Sequence, residues 1–104
     1  SSDLKKLKVR HTKGYYCGVT GPTYETPAEI KYMGKIGGST VGMSTVMEVI
    51  AAHHMGMNVC GLALVTNLAA GILNKPLNHK EVTDAAHKAQ KNFIKILSEF
   101  TKLI

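Results

Sequence analysis

The run Met57-Asn58-Val59-Cys60-Gly61-Leu62-Ala63-Leu64-Val65 constrains this chain more than any other feature. It is nearly all apolar, and no apolar run in the chain is long enough to cross a bilayer. A strand with one wet face alternates apolar and polar residues; a near-continuous run is expected of a central strand covered on both faces. Covering both faces requires helices, and the flanking sequence offers them. Tyr15-Tyr16-Cys17-Gly18-Val19-Thr20 is a β-prone run ended by Gly21-Pro22. Thr26-Pro27-Ala28-Glu29 is a capping box with proline at the first helical position. Ala28, Tyr32 and Ile36 continue that helix at four-residue spacing to about Gly37-Gly38. Thr40-Val41-Gly42-Met43 reads as a brief strand. Thr45-Val46-Met47-Glu48 repeats the capping pattern and opens a helix through His53, which Gly56 ends.

The last helix has Asn78-His79-Lys80-Glu81 as its cap and an apolar stripe of Val82, Ala86, Ala89, Phe93, Ile96 and Phe100. The order β-α-β-α-β-loop-α implies an α/β fold with parallel strands and right-handed crossovers. In such sheets ligands gather beyond the carboxyl ends of the strands. Three of those ends carry polar groups: Tyr24-Glu25, Met43-Ser44 and Thr66-Asn67.

Composition narrows the class. At 104 residues the chain is one small domain or part of a larger one, and 44% hydrophobic content with 10 glycines argues against disorder. Its net charge of +6 invites a nucleic-acid reading. No zinc-finger, basic-zipper or RNA-recognition signature accompanies the charge, and the lysines of the last third take solvent-facing helical positions. Cys17 and Cys60 sit in apolar runs and are expected as buried free thiols. His53 and His54 have no metal-ligand partners at usable spacing, and no metal is expected. The amino-terminal SSDLKKLKVRH lacks a Met and the pattern of a secretory signal, and reads as a cut point.

Three segments together resemble the trimeric purine nucleoside phosphorylases: GPTYETPAEI, VGMSTVMEVIAAHHMGM, and VTNLAAGI followed by NHKEV. The likeness runs from about Gly14 to the carboxyl terminus. It implies the nucleoside phosphorylase fold, a mostly parallel or mixed sheet with flanking helices. It also implies phosphorolysis of inosine and guanosine to free base and ribose 1-phosphate, with inorganic phosphate as co-substrate and no cofactor. By resemblance, Glu25 accepts the N1–H of a 6-oxopurine, a donor that a buried carboxylate needs. Asn67 contacts N7 and O6, where charge builds as the glycosidic bond breaks. Tyr24 packs edge-on against the base, Met43 lies beneath the ribose, Tyr16 bonds a ribose hydroxyl and His79 approaches the 5′-OH. Val41 and Val82 line the pocket, and Ser44 binds phosphate beside a helix start.

Each residue also has a plainer role open to it. Glu25 could serve a helix dipole, Asn67 a strand-ending turn, Tyr24 and Met43 a core, and Ser44 a helix cap. Met47 stands where the family carries proline, and Gly37-Gly38-Ser39-Thr40 varies the usual connection. The family's glycine-rich phosphate loop, its phosphate-clamping arginine and histidine and its Asn-Ala base wall match nothing here. The expectation is the carboxyl-terminal portion of a cytoplasmic, homotrimeric enzyme, inactive by itself. A methylthioadenosine-type phosphorylase and a non-catalytic purine-binding module remain as alternatives, with no membrane or nucleic-acid partner.

Overall fold

The computed structural model describes residues 6–74, 76 and 78–102. They fall into two compact units, one within Gly14–Leu77 and one made of residues from Ser1–Lys13 and Asn78–Ile104.

The larger unit holds a β-α-β-α order: β1 (Tyr16–Gly18), α1 (Pro27–Lys35), β2 (Thr40–Gly42) and α2 (Val46–His54). β1 and β2 pair in parallel, with Tyr16 opposite Thr40, Cys17 opposite Val41 and Gly18 opposite Gly42. Parallel pairing with an intervening helix is what the order of elements implied. The strands are shorter than the β-prone runs, because a residue joins a ladder only where a neighbour meets it.

α1 begins as its sequence dictates. Thr26 is extended (φ −76°, ψ 158°), so its hydroxyl accepts the Glu29 N–H at 3.3 Å while the Glu29 carboxylate accepts the Thr26 N–H at 2.6 Å. The helix stops at Lys35. Gly37, at φ +97°, donates to the Gly34 carbonyl, and Gly38 donates to that of Met33, a pairing that needs the left-handed backbone glycine takes freely. The backbone and hydroxyl bonds from Thr26, the backbone one first, hold the Glu29 carboxyl below its ordinary value of 4.5. Its folded value lies below its unfolded one, so this contribution is complete above the unfolded value and is lost as pH falls through the folded one. The protection of the Thr26 and Glu29 amides, relative to the exchange rate of an unstructured chain at the same pH, should fall on acidification below 4.5, and Glu29→Gln should flatten that response. An unchanged profile in the variant would show that the box does not govern the first turn.

α2 departs from expectation at its start. Thr45 makes no side-chain cap. Its backbone sits at φ 74°, ψ −48°, and the Val46 N–H donates to the Ser44 carbonyl at 2.8 Å, closing a γ-turn. A capping hydroxyl needs the extended backbone that Thr26 has, and a γ-turn aims it elsewhere. Met47 occupies the second helical position and is 72% exposed, where an N–H has no intrahelical partner. Met47→Pro should stabilise the chain by about 0.4–1 kcal/mol, raising the thermal midpoint by a few degrees. A lower midpoint would mean that the Met47 N–H is in use.

The apolar run from Met57 to Val65 belongs to no strand. Among the described residues none pairs with it, and all nine of its residues are exposed. The expectation of a covered central strand is therefore corrected: hydrophobicity can favour a strand, but ladder bonds come only from neighbours on either side. Cys60, within this run, is exposed and not buried; Cys17 is half-buried, and both are free thiols.

In the smaller unit, α3 (His79–Thr101) has Asn78 as its cap, the side-chain oxygen accepting the Lys80 N–H at 2.9 Å. Its half-buried apolar stripe runs through Val82, Ala85, Ala89, Phe93 and Ile96. Ala86 and Phe100, both expected on that face and lying at its azimuth, are nonetheless exposed, so the stripe is covered only in part. Lys95 donates to the Leu7 carbonyl at 2.9 Å. No described residue in either unit is fully buried. Among the described residues no helix is long and apolar enough to cross a membrane.

Candidate functional site

The larger unit carries Tyr16, Tyr24, Glu25, Val41, Met43, Ser44 and Asn67; His79 and Val82 belong to the smaller unit, on the first turn of α3. His79 is exposed and Val82 half-buried. In the larger unit, two local groupings and one cleft account for the seven.

The first grouping surrounds the end of β2. The Ser44 N–H donates to the Tyr16 phenol oxygen at 3.4 Å, and that oxygen is also 3.4 Å from Ser44 Oγ. Thr45 Oγ1 lies 3.2 Å from Ser44 Oγ. Three hydroxyls thus adjoin at the start of α2, where the γ-turn has diverted Thr45 from capping. Nothing in the residue types announced Thr45 as a member, since its pattern with Glu48 reads as a cap.

The second grouping surrounds the turn between β1 and α1, which includes a cis Gly21-Pro22 bond. The Met43 thioether packs on this turn: a Cβ placed on Gly21 would stand 2.5 Å from its sulfur. A Cβ on Gly71 would stand 2.6 Å from Pro27 Cβ, so the loop after Asn67 touches the residue that opens α1. The segments bearing Glu25 and Asn67 are therefore in contact, two residues from Glu25 and four from Asn67. Gly71 is also at φ +77°, a conformation that glycine alone takes without strain.

Glu25 is half-buried, and its carboxylate makes no hydrogen bond or ion pair among the described residues. Glu29, four residues on, is held by Thr26, whose N–H and hydroxyl both donate to its Oε2. Asn67 is half-buried too, with Oδ1 accepting the Ala69 N–H at 2.9 Å and Nδ2 donating to Thr66 Oγ1 at 3.2 Å. It makes a turn contact through Ala69, and its oxygen keeps a second lone pair; the strand expected to end at Thr66-Asn67 is not formed, so Asn67 stands in a loop. Tyr24 is 48% and Met43 41% exposed, so neither is a core residue of this unit.

A cleft of about 390 Å³ opens between α1, β2 and the segment 63–72. Tyr16, Val41 and Asn67 line it, together with apolar groups such as Met33 and Leu64. Tyr24, Glu25, Met43 and Ser44 lie outside its lining. Among the described residues no group of acidic, histidine and cysteine side chains could hold a metal ion.

Comparison with known proteins places this architecture. Residues 1–102 match the model of the phosphorylase superfamily. The chain is 48% identical over 93 residues to purine nucleoside phosphorylase 1 of Bacillus subtilis, covering 89% of this chain and 34% of that protein. It is 57% identical over 83 residues to the purine nucleoside phosphorylase of Mycobacterium leprae, 80% of this chain and 31% of the other. Against a probable 6-oxopurine nucleoside phosphorylase of Moorella thermoacetica it is 45% identical over 82 residues, 79% and 32% respectively. The chain spans about a third of the length of the curated relatives it matches. A match over nearly the whole chain, on a helix-linked parallel strand pair with polar groups at its carboxyl end, has one meaning: this chain belongs to the phosphorylase superfamily.

Proposed function

We propose that this chain carries the purine- and ribose-recognition part of a 6-oxopurine nucleoside phosphorylase acting in purine salvage. One observation carries the reading. Glu25 is half-buried and without a partner among the described residues, on a turn that packs against the loop following Asn67. A half-buried carboxylate without a partner can take a donor, and the N1–H of inosine or guanosine is one.

In the reaction, a phosphate oxygen forms a bond to ribose C1′ while the C1′–N9 bond breaks and its electron pair passes to the purine. Asn67 steadies that charge or the incoming proton at N7, and Glu25 holds the opposite edge through N1–H. Met43 gives the positively charged sugar a polarizable floor. Tyr16 bonds a ribose hydroxyl, Ser44 binds phosphate, Tyr24 packs against the base, and Val41 lines its pocket. His79 and Val82 keep their assignment to the 5′-OH and the pocket lining from resemblance alone. The resemblance further implies a cytoplasmic homotrimer.

A chimeric enzyme tests this directly. Replacing the matching 93-residue segment of the Bacillus subtilis relative with this chain should yield phosphate-dependent release of hypoxanthine from inosine. The isolated chain should show none, because holding phosphate and nucleoside in line supplies much of such a reaction's acceleration. A folded chimera that binds hypoxanthine without cleaving inosine would instead identify a non-catalytic purine binder.

A further inference from the structure

Gly42 is the last residue of β2, and its backbone is not in the left-handed region that glycine serves elsewhere in this chain. Glycine within a strand costs backbone entropy and packs nothing, so its presence marks a close approach. The approaching group is the Tyr16 ring. A Cβ on Gly42 would overlap the Tyr16 phenol oxygen and stand 3.0 Å from Cζ and 3.4 Å from Cε2. In the parallel register Tyr16 lies opposite Thr40, so its side chain reaches two residues along the neighbouring strand. Only a bare Cα there lets the phenol cross and meet the Ser44 N–H.

We propose that Gly42 is a positioning residue: its missing side chain seats the Tyr16 hydroxyl on Ser44 and so sets how Ser44 meets phosphate. The seated phenol oxygen accepts from the Ser44 N–H and lies within reach of Ser44 Oγ. Its own proton can then go to Ser44 Oγ, leaving the serine proton to point outward at an anionic oxygen. The inference rests on the phosphate role of Ser44 given under the proposed function. The clash falls on the far end of the Tyr16 side chain, so an alanine at position 42 displaces the phenol and leaves the strand pair intact.

The test uses the full chain with Gly42→Ala, Tyr16→Phe and the double variant, followed by the Ser44 amide resonance during titration with inorganic phosphate. Both single variants should shift that resonance alike and weaken its response to phosphate by about threefold to tenfold, the worth of one hydrogen bond. The double variant should be no worse than either single one, because Tyr16→Phe leaves no hydroxyl for the alanine to displace. A Ser44 amide unmoved by Gly42→Ala, or penalties that add in the double variant, would overturn the proposal. Should Gly42→Ala move the amide while wild-type Ser44 ignores phosphate, the seating of Tyr16 stands and the phosphate reading of Ser44 falls.

Discussion

Glu25→Gln in the chimeric enzyme should lower kcat/KM for inosine by about 10- to 150-fold, the worth of a hydrogen bond to a charged group. The carboxylate has no competing partner among the described residues, so under the proposed function its loss removes the bond to the base and breaks nothing else described. Glutamine keeps the shape and one acceptor but withdraws the charge that draws the N1–H. Glu29→Gln is the matched control. Its carboxylate is held 2.6 Å from the Thr26 N–H and 2.8 Å from the Thr26 hydroxyl, so the change should touch the first turn of α1 and leave turnover within a few-fold. Equal losses in the two variants would place the effect in the helix start, not in base recognition. A Glu25→Gln enzyme with wild-type turnover would remove Glu25 from the site.

Asn67→Asp should shift the chimera from 6-oxopurine toward 6-aminopurine nucleosides, with inosine turnover falling about 100-fold, as when one transition-state donor is withdrawn. The substitution is gentle on structure. Aspartate retains an oxygen to accept the Ala69 N–H, and the Thr66 hydroxyl can donate where it now accepts. What changes, under the proposed function, is the group offered to N7 and O6: an amide that can donate becomes a carboxylate that can only accept. A 6-keto oxygen then meets a like charge, whereas a 6-amino group meets an acceptor. The ratio of inosine to methylthioadenosine cleavage is the measurement. If that ratio holds while thermal stability drops, Asn67 is a turn residue and no more.

Much of the larger unit was legible because its signals are local. The capping box of Thr26 and Glu29 and the glycine pair after Lys35 satisfy their own backbone groups within a few residues. The same logic misread Thr45, whose pattern with Glu48 matches that of Thr26 with Glu29. Capping depends on the backbone of the cap residue, and at Thr45 the chain takes a γ-turn. The candidate site rests on residue types and resemblance, and of its three expected strand ends the one before Asn67 is absent among the described residues. Its supporting glycines were not legible: Gly42 and Gly71 matter for what comes near them, which the order of residues does not disclose.

The sequence by itself determined where helices start and stop, which acid caps the first of them, and the family to which the chain belongs. The tertiary structure alone decided that Met57–Val65 goes unpaired among the described residues, that the loop after Asn67 lies against Pro27, and that the Tyr16 hydroxyl rests on Ser44. The division has a physical cause. Caps and turns close hydrogen bonds between residues a few positions apart, so composition in a short window specifies them. Ladders and close approaches join segments distant in the chain, and they form only where a second surface arrives to meet the first.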